Sequence, residues 1–388
     1  MIGLAASVLL WVGVLIAQPR AVLPGDPLPG ITPVEFEEFR LGQEDFLEVE
    51  TAEEGLGPAY NATSCAVCHS VPAVGGASAI AEIRAARRGP RGEFVALYPS
   101  GESLFHLFSV PSHSCQPIIP PEATVIARRM PIALFGAGLV EAILDETLLA
   151  LEDPFDRDRD GVSGRAAIVV DRASGIRRVG RFGWKAQHAT LLSFSGDAYR
   201  NEMGITNDLF AQEAASGVSY ERMRLCDPRP EPEDVRDPRT GKRGIDNFTS
   251  FMKFLAPVAR NPIDEVVRNG ERTFSALGCS ACHTPTLTTG PSPNPLFNRV
   301  AVPLFSDLLL HDVGTGDGIE QEAASTDEIR TPALWGLRFR RPLLHDGSAS
   351  TIEEAIRRHA GEADLARRGF DQTTDVDRAS LIAFLRSL

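Results

Sequence analysis

Two short stretches of this sequence carry the chemistry: Cys65-Ala66-Val67-Cys68-His69 and Cys279-Ser280-Ala281-Cys282-His283. In each, two thiols stand about one helical turn apart with a histidine directly after the second. That spacing lets both sulfurs form thioethers to the vinyl groups of one haem while the histidine, His69 or His283, binds the iron from below. A zinc knuckle would need further Cys or His at close spacing, and neither stretch has them. A thioredoxin-like dithiol would not need the histidine. The sequence therefore predicts two covalently held c-type haems.

The remaining two of the six cysteines, Cys115 and Cys226, are expected to pair as a disulfide if the chain is exported, with unpaired buried thiols as the alternative. Export is argued from residues 1–22. Ile2 to Ala17 is apolar but too short to span a bilayer comfortably, and Gln18, Pro19 and Arg20 follow it, as in a signal peptide or an N-terminal anchor. Covalent haem attachment takes place on the outer side of the bacterial inner membrane, so the expected location is the periplasm. The net charge of −13 argues against nucleic acid and is compatible with docking a basic redox protein.

The elements that must position these groups are legible in part. From Pro33 to Glu54 the chain carries nine acids and one base, with Phe36, Phe39, Phe46 and Leu47 on one helical face, and this amphipathic helix leads into the first motif. Residues 70–125 alternate short apolar runs with Gly, Pro and Ser and read as loops with a few strand or helix fragments; His106 and His113 lie there. Asn61-Ala62-Thr63, just before Cys65, matches a glycosylation sequon and is taken as chance. Pro131 suits the start of a helix through the apolar run Ile132 to Leu151, which contains Glu141. Asp156, Asp158 and Asp160 before Gly161 reproduce the opening half of a calcium loop. Position twelve is Ala167, so no glutamate closes it, and a solvated acidic turn fits as well as bound Ca2+.

Arg177 to Asn207 holds Trp184, Gln187, His188 and Glu202, for which core packing, caps and salt bridges are the ordinary alternatives. The charged, Pro-rich run Asp227 to Gly244 reads as a linker or long surface loop. Beyond it, Ile263 to Leu277 forms a helix into Cys279, and Asp375 to Leu388 a closing helix. Between them a helix begins at Thr351, with Glu354 completing a capping box. Ile352, Ala355, Ile356 and His359 then share one face, which turns His359 inward as the second iron ligand of the C-terminal haem. His311 is the next candidate for that position.

These residues carry a family resemblance. The paired motifs, Arg330-Thr331-Pro332-Ala333-Leu334-Trp335-Gly336-Leu337, and His345-Asp346-Gly347 with the helix after it resemble the bacterial diheme cytochrome c peroxidase superfamily. The GLGPAYNATSCAVCH, FGWKAQ, NEMGIT and SDLLLHDVG runs resemble more closely its branch of diheme oxidoreductases, also called predicted thiol oxidoreductases. The resemblance implies a mainly α fold of two cytochrome c-like haem domains with loop-rich insertions, an N-terminal one over 30–260 and a C-terminal one over 262–388. It implies His359 as the distal ligand, Glu202 as the acid and base over the N-terminal haem, and Trp184 as the tryptophan between the haems. His188 is the nearest match to a distal histidine of the N-terminal haem. The implied activity is reduction of hydrogen peroxide at the N-terminal haem, with electrons relayed through the C-terminal haem from a small cytochrome. A pure electron-transfer cytochrome, or oxidation of a protein or organic substrate, are the alternatives.

Overall fold

A computed structural model describes residues 21–98, 101–111, 115–214, 218–227 and 229–388. The leader-like residues 1–20 and His113 lie outside the described residues. Among those described, no helix is long and apolar enough to cross a membrane. Helix exceeds strand, at 31 % against 14 %.

The N-terminal helix runs Pro33–Leu47, starting from a Thr32–Glu35 capping box with proline at its first position. It stops at Leu47, short of the expected Glu54, and buries Phe39, Gly42 and Phe46, while Phe36 and Leu47, expected on the same face, are exposed. Both buried phenylalanine rings pack on Phe251 of the Gly244–Phe254 helix, with centroids 5.2 and 4.9 Å apart. A Cβ on Gly42 would run into the carbonyl of Asn247, so only glycine permits this approach. The C-terminal half repeats the device. The Glu265–Ala276 helix crosses the Asp375–Ser387 helix where a Cβ on Gly270 would meet the carbonyl of Ser380.

Among the described residues two apolar cores dominate, beside three small clusters. The smaller is built from residues 267–388, including Phe274, Phe305, Phe370 and Phe384. The larger draws on both sides of residue 262: Phe39, Phe46, Phe248 and Phe251 pack in one cluster with Leu287, Phe297, Leu304 and Trp335.

One local expectation is borne out and two are corrected. The stretch 70–125 is mainly loop with strand fragments, as expected, but the sequence does not announce that these assemble: Glu82–Arg88 is the central strand of a four-stranded antiparallel sheet with Phe94–Val95, Leu104–Phe105 and Val125–Arg129. Its apolar alternation is hidden because Glu82 and Arg84 face a polar cavity instead of a core. The run Ile132 to Leu151 is two short helices, Ala137–Glu141 and Asp145–Leu149. Gly136, left-handed at φ +72° and pressed against Trp335, starts the first of them in place of Pro131. Finally, Thr351 caps its helix, but Glu354 reaches back to the amide and hydroxyl of Ser350, one residue earlier than the box requires.

Cys115 and Cys226 are joined in a disulfide with Cα atoms 5.9 Å apart across 111 residues of sequence. Closing so long a loop restricts the unfolded chain, and removal of such a bond typically costs about 2–5 kcal/mol. Replacing both by Ala should lower stability by that amount in a denaturant titration, and adding reductant to the parent should reproduce it.

Candidate functional site: two cavities joined at Trp184

Each Cys-x-x-Cys-His motif forms part of a cavity wall. The first is a single helical turn, Cys65–Cys68, whose cap Ser64 accepts from the Ala66 amide. The second is a 3-10 turn, Cys279–Ala281. Both put the two thiols and the histidine on one lining surface. His69 donates from Nδ1 to the Gly76 carbonyl at 2.9 Å and His283 to the Phe305 carbonyl at 3.0 Å. His359 donates from Nδ1 to the Ala355 carbonyl at 2.8 Å. In all three the backbone bond fixes the tautomer and leaves Nε2 as the lone-pair nitrogen that a metal requires. Burial pushes all three histidines down, keeping them neutral, and His283 falls to about 4.

The C-terminal cavity holds about 430 Å³ and is lined by Cys279, Cys282, His283 and His359 among apolar side chains such as Leu277, Ile352, Ile356 and Leu381. That volume lies within the range of about 300–1,000 Å³ usual for ligand sites. Three arginines complete its wall, of which Arg367 bonds to Asp364. Buried Arg330 donates to the carbonyls of Gly183 and Thr331, and neither Arg330 nor Arg340 pairs with a carboxylate among the described residues. Burial pushes both guanidinium groups down to about 10. Thiols, a neutral histidine on offer and two uncompensated cations fit a haem with its anionic propionates. His311 also reaches this cavity, yet it is not free to bind iron. Its Nε2 pairs with Asp307 and its Nδ1 with Glu362, each at 2.8 Å. Burial opposes its charge, but these bonds and that to Cys282 outweigh it and raise its pKa.

The N-terminal cavity is narrower, about 170 Å³, and its far wall is polar: Glu82, Arg84, Arg129, Asp197, Asn201 and Glu202. Glu202 accepts from the Asn61 side chain at 3.0 Å. Burial first, and then the charge of Glu82, push Glu202 up to about 8, while Arg84 and Arg129 hold Glu82 below its ordinary value against its own burial. One carboxyl of the pair is thus a proton carrier and the other its charged partner. Arg84 forms the closer bond to Glu82, at 2.7 Å. Arg129 bonds to Asp317 at 2.7 Å, which also pairs with buried Lys185 at 3.2 Å.

Trp184 borders both cavities. Its indole N–H donates to the Met130 carbonyl at 2.7 Å, and the Arg340 guanidinium lies 5.7 Å from its ring centre. Gln187 borders only the first of the two. His188 does not reach it, and both its nitrogens are taken, by Ser193 at 3.2 Å and Asp197 at 2.9 Å. His106 is buried against the Asn201 carbonyl at 2.7 Å. Asp156, Asp158 and Asp160 converge within 4.8 Å, but their oxygens receive amides of their own turn, including Gly161 and Val162. Sequence reasoning missed Glu82, Arg84, Arg129 and Asn61. Only Asn61, four residues before Cys65, stood near a recognised motif.

Residues 112–388 match the family model described as “Di-haem oxidoreductase, putative peroxidase”. The chain belongs to this family. Membership implies two haems, which the two motif-bearing cavities match in number. No protein of curated function matches the sequence. Among solved structures, a hydrazine synthase of Kuenenia stuttgartiensis is 16 % identical, with 99 % of this chain and 100 % of that chain covered at a TM-score of 0.43. The diheme peroxidase BthA of Burkholderia thailandensis is 16 % identical, with 92 % and 86 % covered at 0.41. A MauG-like protein associated with microbial copper homeostasis is 17 % identical, with 66 % and 89 % covered at 0.33.

Proposed function

We propose that this di-haem oxidoreductase is a periplasmic c-type peroxidase that reduces hydrogen peroxide in the N-terminal cavity with electrons delivered through the C-terminal one. The observation that carries the reading is the asymmetry of the two cavities. The second offers His283 and His359 as a pair of neutral imidazoles, whereas the first, among the described residues, offers only His69 and faces it with a buried carboxyl pair. Thioether bonds from Cys65 and Cys68, and from Cys279 and Cys282, hold the two haems.

A haem held in the first cavity by Cys65, Cys68 and His69 would supply the redox equivalents for cleaving an O–O bond. The rest of the work belongs to side chains. Glu202 takes a proton from the oxygen nearer the motif and returns it to the farther one, which makes the departing oxygen a water. Asn61 holds the Glu202 carboxyl in place, and burial together with the charge of Glu82, anchored by Arg84, raises its proton affinity, so the base form that starts the transfer fills in as pH rises through about 8. Reduction of peroxide to water consumes two protons and two electrons, and the electrons pass by way of Trp184. The acidic chain suits a small basic cytochrome as donor.

The test is low-temperature electron paramagnetic resonance of the resting protein, followed by mixing with peroxide after one-electron reduction. One high-spin or readily displaced iron and one low-spin iron are expected, with rapid reaction. Two low-spin irons and no reaction would make the protein an electron carrier. The ligand assignment is checked separately. His359→Met should keep the second iron six-coordinate and raise its potential, and His359→Gly should make it high-spin; unchanged spectra in both variants would place the ligand elsewhere.

A further inference from the structure

We propose that Glu213, Asp227 and Glu233 form a binding site for a hard divalent cation of the calcium class, which braces the loop that follows Glu202. Their ligand oxygens all lie within 4.8 Å of one another. Glu213 is only 7 % exposed, and neither of its carboxylate oxygens has a hydrogen-bond partner. Oε1 of Glu233 is likewise buried and unpartnered. Leaving such groups without a partner costs about 1–3 kcal/mol each, and more when they are charged.

The donor set is all oxygen, with no Cys or His in the cluster, which selects calcium over the softer transition metals. Asp227 and Glu233 are partly exposed, so waters can complete the coordination shell. The site is also pinned from outside. Asp227 directly follows Cys226 of the disulfide, and its Oδ1 accepts the Arg229 amide at 3.0 Å. The other oxygen of Glu233, Oε2, accepts from the Thr206 amide at 2.7 Å and from its hydroxyl. Thr206 stands just beyond the end of the Leu191–Met203 helix that carries Glu202. A bound cation would therefore join the segment at Glu213, the disulfide-held segment and the loop behind the peroxide-facing carboxyl. The inference rests on these residues alone and does not depend on the peroxidase reading.

The test uses the haem-loaded, chelator-treated protein in an Asp158→Asn, Asp160→Asn background, which silences the separate acidic turn. Calorimetric titration with calcium chloride should show saturable binding of one ion, accompanied by a calcium-dependent rise in melting temperature. Adding Glu213→Gln should weaken binding at least tenfold and remove that rise while leaving both haems in place. Asp227→Asn, at a more exposed position, should do the same and keeps the test decisive if the Glu213 variant fails to fold. No calcium binding by the background protein, or undiminished affinity in either added variant, would overturn the proposal in favour of a proton shared between Glu213 and Glu233.

Discussion

Replacing Cys279 and Cys282 together by Ala should remove one of the two haems and unfold most of the C-terminal core. The cavity these thiols border measures about 430 Å³ and is walled by the apolar side chains of the smaller core. At about 24 cal/mol per Å³ of void, an unfilled cavity of that size would cost on the order of 10 kcal/mol. That equals the whole stability of an ordinary domain, about 5–15 kcal/mol, so this part of the chain would collapse before tolerating the void. Mass spectrometry of the purified chain should show two haem additions in the parent and one in the variant, with protease sensitivity appearing beyond residue 262. The matching Cys65, Cys68 double variant should also lose one haem but suffer less, since its cavity is about 170 Å³. Two haems retained in either variant would end the covalent reading.

Changing Glu202 to Gln should slow the reaction with peroxide by about a hundredfold or more, the usual loss when a positioned acid or base is removed. Both haems and the fold should persist, because the side chain keeps its size and can still bond to Asn61. The pH dependence adds a second signature. Glu202 is pushed up to about 8 by burial and by Glu82, so the base form accumulates only as pH climbs through that value. The parent's rate with peroxide should rise across that range, and the rise should vanish in the variant. Stability carries the opposite sign. A carboxyl whose folded value lies above its ordinary 4.5 costs the native state progressively as pH rises from 4.5 to about 8. Parent and variant should therefore unfold alike in acid, with the variant gaining through that window and keeping its advantage above it. A variant as fast as the parent at every pH would reduce Glu202 to a structural residue.

The resemblance rested on motifs that are contiguous in the chain, and contiguity of that kind is what primary structure can specify. Two thiols and a histidine within five residues share one wall in any helical turn, so Cys65, Cys68 and His69 were legible before any fold was known. His359 was legible for a related reason: helical periodicity places it on the face of Ile352 and Ile356, and all three line the C-terminal cavity. The two long helices that precede the motifs, and the closing helix, followed from the same periodicity. The Cys115–Cys226 pair followed from counting, since only two cysteines were left over.

What surrounds those groups depends on contacts between distant parts of the chain. Arg129 meets Asp317 across 188 residues of sequence, and Glu202 meets Asn61 across 141. No local pattern encodes such pairings, because each partner taken singly is an ordinary charged or polar residue. The sheet around Glu82 escaped notice for that reason: a strand whose inner face is charged lacks the apolar alternation that marks most strands. The fold likewise ruled out His188 and His311 as ligands by occupying both nitrogens of each ring. It also set Trp184 between the two cavities, a position that depends on the Met130 carbonyl and on Arg340, both remote in sequence. Covalent neighbours fix what a motif can bind; the long-range folding of the chain fixes the charge, the proton inventory and the free lone pairs around it, and these decide what the bound group can do.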